Sequence, residues 1–172
     1  YKNKMIFLDA KPNKAHLKLA EMEQAGKLSA IVTQNIDGLH QAAGSKNVFE
    51  LHGSVHRNYC QKCGKFFDVN YVVNAKGVPY CDECGGIIKP DVVLYEEGLD
   101  SQTINGAVRA ISKADMLIIG GTSLVVYPAA GMIDYFKGKY LAVLNRDATS
   151  RDKQADLCIT DPIGEVLGRI RV

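Results

Sequence analysis

The stretch Met116-Leu117-Ile118-Ile119-Gly120-Gly121-Thr122-Ser123 (MLIIGGTS) is four apolar side chains in a row, stopped by two glycines and two hydroxyls. A strand buried on both faces reads this way, because neither face needs polar residues. Upstream of it, residues 104–112 have a helical period. Downstream, residues 128–136 read as a helix with Pro128 in its first turn, and 140–145 (YLAVLN) as a strand. Residues 157–160 predict a short strand and 163–172 a closing helix. Toward the start, Asn13 is placed to cap a helix carrying Ala15, Leu17, Leu19, Ala20 and Met22 and ending near Gly26. Residues 29–33 (SAIVT) and 48–51 (VFEL) are β-prone runs. Strands alternating with helices predict an α/β protein, a parallel sheet with helices on both faces.

Composition excludes several classes. The chain has 172 residues, enough for one sizeable core and a small appendage. Hydrophobic residues make up 47% and charged residues 23%, the balance of an ordinary globular protein. A net charge of +2 is too mild to argue for nucleic acid as a partner. The apolar runs fall far short of the roughly 20 residues of a membrane span. No signal peptide opens the chain, and because residue 1 is Tyr the start is expected to lie upstream. A cytoplasmic location is the expectation.

Residues 59–89 change character: they are aromatic, glycine-rich and hold four of the five cysteines. The spacing is Cys60-x-x-Cys63, seventeen residues, then Cys81-x-x-Cys84. Two such pairs read as a zinc site, each pair holding one edge of a tetrahedron. Four thiolates leave no position for water, so the metal is structural. A segment this short cannot bury enough core to fold unaided, so its folding free energy is expected from metal binding. It reads as a zinc-ribbon module inserted into the sheet domain, giving 1–58 and 90–172 as one discontinuous domain and 59–89 as the other. Cys158 stands alone in an apolar stretch and is expected to be a buried small hydrophobe.

Four segments carry polar groups at strand ends, where open α/β sheets bind ligands. The first is Thr33-Gln34-Asn35-Ile36-Asp37-Gly38-Leu39-His40. Asn35 and Asp37 there suit either a ligand or a plain helix cap. The second is Glu50-Leu51-His52-Gly53-Ser54, whose histidine suits a general base, with His40 and His56 competing from spacing alone. The third is Gly120-Gly121-Thr122-Ser123, where glycines admit a ligand to the backbone and hydroxyls can hold phosphate or ribose oxygens. The fourth is Asn145-Arg146-Asp147, which suits an adenosine or a surface turn.

These segments together resemble the sirtuin family, with the bacterial members nearest. The resemblance is carried by TQNIDGLH at 33–40, ELHGSVHRNYC at 50–60, the two cysteine pairs, KPDVVLYEE at 89–97, GGTSLVVYPAA at 120–130 and LNRDAT at 144–149, in that order. It implies a Rossmann-like sheet domain and NAD-dependent deacylation of acyl-lysine in proteins or peptides. Gln34, Asn35 and Asp37 would line the nicotinamide–ribose pocket, with the Ile36 backbone beside the carboxamide. His52 would be the general base on the ribose hydroxyls. Gly120, Thr122 and Ser123 would meet phosphate and ribose, Asn145 the adenosine ribose, and Asp161 the adenine. Val92, Val93 and Tyr95 on one side and Val125 on the other would hold the substrate peptide as an added strand. The acyl oxygen would attack the ribose as nicotinamide leaves, and lysine and O-acyl-ADP-ribose would be the products. Protein mono-ADP-ribosyl transfer and a non-catalytic zinc-ribbon binding module are the alternatives.

Two departures stand out. Residues 1–172 hold no match to the glycine-rich loop, roughly GAGxSxxSGIPDFR, with which the family's sheet opens. The expectation is a sheet incomplete at its N-terminal end and a fragment with weak NAD binding and little activity alone. Tyr95-Glu96-Glu97 also stands where many members carry Phe-Gly-Glu.

Overall fold

Asn13 starts the first helix by a capping box: its side chain accepts from the amides of Ala15 and His16, and His16 answers to the Asn13 amide. The helix, α1, spans Lys14–Gln24. The computed structural model describes residues 5–172, so residues 1–4 of the expected 1–58 segment lie outside the described residues. Strand β1 (Ile31–Thr33) pairs in parallel with β2 (Val48–Glu50) across the short helix α2 (Leu39–Ala42). Strand β3 (Gly53–Cys60) is antiparallel to both β4 (Phe66–Asp68) and β5 (Ile88–Val92), with α3 (Val69–Asn74) between the latter two. Helix α4 (Ser101–Lys113) leads to β6 (Met116–Gly120), α5 (Ala129–Met132) and a 3-10 turn at Ile133–Tyr135. Strands β7 (Tyr140–Leu144) and β8 (Leu157–Ile159) and helix α6 (Ile163–Gly168) close the chain.

The parallel α/β architecture is present, and period two along β6 explains its layers. Leu117 and Ile119 point to one face, onto the clusters that contain Ala107 and Ile111 of α4, Met132 of α5, and Phe136. Ile118 points to the other, onto Ala15 and Leu19 of α1 and Ile163 and Leu167 of α6. Helices therefore cover both faces. Val32 of β1 and Phe49 of β2 join the first face through the same cluster as Leu117.

One expectation changes in form. Among the described residues the parallel strands make two sheets, β1–β2 and β6–β7–β8 in that order, not one continuous ladder. Between β1 and β6 lies a cleft of about 470 Å³, walled by apolar residues of both strands and of α1, α5 and α6. Its rim at the strand ends carries Thr33, Gln34, Asn35, Gly121 and Thr122. The cysteine-bearing sheet is separate, and it runs past 59–89 at both ends, its central strand β3 beginning at Gly53 and its edge strand β5 ending at Val92.

Smaller expectations are corrected. Cys158 is exposed, because β8 is an edge strand and the thiol faces out toward the Asp152 carbonyl. The helix expected over 128–136 is one turn of α-helix and a 3-10 turn, and the last helix stops at Gly168. No described helix is long and apolar enough to cross a membrane.

Candidate active site and metal centre

Residues 34–38 leave the end of β1 without joining any ladder, so their backbone groups need partners from elsewhere. Those partners come from the start of β3. The His52 ring Nδ1 lies 3.0 Å from the Gln34 carbonyl oxygen. A carbonyl only accepts, so Nδ1 carries the proton and donates. In the neutral ring the lone pair then resides on Nε2, and no described residue bonds to that atom. The Gln34 side chain meets a third segment: Thr122 Oγ1 donates to Gln34 Oε1 at 3.2 Å. Three segments far apart in sequence, 33–40, 50–54 and 120–123, thus converge on one glutamine.

Two further bonds fasten the same loop. The Val55 amide donates to the Ile36 carbonyl at 3.0 Å, and His56 Nε2 donates to the Asp37 carbonyl at 2.9 Å. Asp37 Oδ1 accepts from the Leu39 amide at 3.0 Å, one residue before Gly38, the N-cap of α2. The Asn35 amide donates to Thr33 Oγ1. Of the competing histidines, His56 is bound to the loop, and His40 packs its ring 4.7 Å from that of His16. Burial lowers the pKa of His40, the neighbouring His16 lowers it further, and Asp37 works against both. His40 Nδ1 is buried with no partner among the described residues.

The other expected positions are distributed as follows. Gly120 ends β6 beside Leu144, and the Gly121 amide donates to the Leu144 carbonyl. Asn145 follows β7 and donates from Nδ2 to the Asp147 carbonyl; Asp161 lies just past β8. Neither has a hydrogen bond to the Gln34 group among the described residues, and Ser123 has none there either. Val92 is buried against Val55, Val69 and Ile6. The Val93 amide donates to the His52 carbonyl at 3.1 Å, tying the expected peptide edge to the histidine. Tyr95 is fully exposed and Val125 largely so. Residue 93 and residues 121–125 form no strand in this structure.

Three features were not read from the sequence. Gly53 has φ +74, and a Cβ there would stand 1.9 Å from the Asp91 carbonyl oxygen, so only glycine lets β3 approach β5 beside His52. The sequence signal was a glycine directly after a strand-end histidine. Arg57 bridges the mostly buried Glu50 and the more exposed Asp91, each at 2.7 Å. Burial opposes its charge, but the bonds to Glu50 and then Asp91 outweigh that and raise its pKa. Gly86 packs on the metal site: a Cβ there would meet Cys60 Sγ at 2.7 Å.

The four cysteines of the two pairs gather as their spacing predicts. Cys60 and Cys84 sulfurs are 3.4 Å apart, Cys63 and Cys81 sulfurs 3.7 Å, and all four lie within 4.8 Å of one another. Zinc–sulfur bonds of about 2.3 Å in a tetrahedron put sulfurs about 3.8 Å apart, so the thiols fit one zinc. Amides of Cys63 and Lys62 pointing at Cys60 bring the pKa of its thiol down to about 6. The Lys65 amide at Cys63 and the Gly86 amide at Cys84 act in the same direction, but crowding against the neighbouring sulfurs outweighs them and pushes both thiols up, so in this cluster Cys60 is the first to become a thiolate. Phe67, Val72 and Ile88 pack around Cys60 and Cys81.

The cleft runs the length of β1 and β6, from Ser29 and Met116 to Thr33 and Gly120, and only its end at the strand carboxyl ends, where Gln34, Asn35, Gly121 and Thr122 gather, offers the polar groups that suit a dinucleotide.

Comparison with known proteins agrees with this geometry. Residues 1–128 match the Sir2 family. An NAD-dependent protein deacetylase of Clostridium acetobutylicum is 67% identical over 97% of this chain and 69% of its own length. Another, from Clostridium perfringens, is 64% identical over 99% of this chain and 70% of its own. A solved Sir2 with a p53 peptide and NAD+ superposes with a TM-score of 0.88 at 41% identity, covering 94% of this chain and 70% of that one.

Proposed function

The chain belongs to the Sir2 family, and on that premise we propose that it performs NAD-dependent deacylation of acyl-lysine in proteins, with nicotinamide and O-acyl-ADP-ribose as co-products. The observation that carries the reading is the junction at Gln34, bonded to His52 through its carbonyl and to Thr122 through its side chain.

Bound NAD would supply an electrophilic ribose carbon, activated by the departure of nicotinamide. The protein's own groups do the rest. Gln34, Asn35, Asp37 and the Ile36 backbone hold the nicotinamide end. Thr122, Ser123 and the Gly120 backbone hold phosphate and ribose oxygens, while Asn145 and Asp161 meet the adenosine. His52 keeps its Nδ1 proton on Gln34 and takes a proton from a ribose hydroxyl at Nε2. The backbone around Val92 and Val93, with Tyr95, faces that around Val125 across an extended acyl-lysine peptide.

We assign residues 1–58 and 90–172 to the NAD-binding domain and 59–89 to the zinc module; the antiparallel sheet around the cysteines is separate from the parallel strands, although its β3 begins at Gly53 and its β5 ends at Val92. The zinc has no open position and holds the module's fold rather than entering the reaction. A cytoplasmic location agrees with five unpaired thiols and a need for NAD.

Incubation of the protein with NAD and an acetyl-lysine peptide tests the reading. Free lysine and O-acetyl-ADP-ribose in equal amounts are the expected products, whatever the rate at which they form. ADP-ribose left on protein, without deacetylation, would replace it with mono-ADP-ribosyl transfer.

A further inference from the structure

Strand β3 breaks register with β5 between Ser54 and Asn58: Ser54 faces Asp91, and Asn58 already faces Pro90. Residues 55–57 are therefore released from that ladder, as a bulge releases and re-aims residues. Val55 and His56 turn to the loop 34–38 instead, with bonds to the Ile36 and Asp37 carbonyls. The His56 ring also lies on Gly38, where a Cβ would come within 2.8 Å of Cδ2. Gly38 has φ +69, so the chain turns there into α2 against the imidazole.

We propose that His56 is a positioning residue for the NAD-binding loop. Its Nε2–H holds the Asp37 carbonyl, and with it the pose of Asn35, Ile36 and Asp37 that receives the nicotinamide end. The Val55 bond is a main-chain bond that any residue supplies, and His52 serves the reaction itself. His56 is thus the side chain among these braces whose removal leaves the base in place. The inference rests on the reading that residues 34–37 bind NAD.

The test compares His56→Ala, His56→Gln, which keeps an N–H donor, and His52→Ala. Loss of one modest hydrogen bond corresponds to roughly five- to tenfold. His56→Ala should raise the KM for NAD and the inhibition constant of nicotinamide by about that factor. Its kcat and peptide KM should stay within twofold, and its zinc content should be unchanged. His56→Gln should recover most of the loss. A wild-type KM for NAD in His56→Ala, or an equal loss in peptide KM and zinc content, overturns the inference. Full deacetylation by His52→Ala would instead overturn the underlying reading, so the two failures are distinguishable.

Discussion

His52 and Gln34 are joined by a hydrogen bond of 3.0 Å from the imidazole to a backbone carbonyl, and this bond decides which ring nitrogen is basic. Replacing His52 with Tyr removes that basic nitrogen. Deacetylation should fall at least 100-fold, within the range for losing a general base. Zinc content and far-UV circular dichroism should match the parent. Turnover within a fewfold of the parent would show that another group takes the proton.

The metal holds its module together by bonds that the small cluster of Phe67, Val72 and Ile88 cannot replace. Removing zinc with a strong chelator should release one equivalent per chain. Amide hydrogen exchange should rise across β3, β4 and β5 and much less across β6 and β7. Protection of the cysteine-bearing strands unchanged after complete metal removal would refute this.

Arg57 holds β2 to β5 through Glu50 and Asp91. Only 8% of the Glu50 side chain is exposed, so Arg57→Met strands a carboxylate that water barely reaches. The expected cost is about 1–3 kcal/mol, read as a lower urea midpoint at unchanged slope. The double variant Arg57→Met with Glu50→Gln should recover part of it. No loss in the single variant would mean that water satisfies Glu50.

Burial lowers the pKa of His16 and of His40, with Asp37 opposing in both. Unfolded histidines titrate at about 6.5. Below that value the unfolded chain takes up protons that the folded one resists, so stability is full above it and declines as pH falls toward the lowered values. Melting temperature should therefore drop between pH 7.5 and 5.5. His40→Gln should flatten the slope at equal zinc occupancy. An identical slope in both proteins would remove the pair from the acid response.

Much of this was legible from sequence because the signals are local. Residues 116–119 are apolar without alternation, and β6 is indeed covered on both faces. Asn13 capped where the sequence placed a cap. The 128–136 helix was less legible: apolar period alone does not distinguish a continuous helix from two short turns. Cys158 misled because an apolar neighbourhood in sequence carries no statement of which strand lies at an edge.

The sequence by itself determined the strand–helix alternation, the zinc spacing and the set of polar segments, since period and spacing act over a few bonds of chain. Which histidine is bonded to Gln34 and which to Asp37 was decided only in the tertiary structure. His40, His52 and His56 are alike in chemistry, and their roles differ through the register of β3 against β5 and the loop that β3 meets. That register depends on contacts between residues dozens of positions apart, which no local pattern encodes.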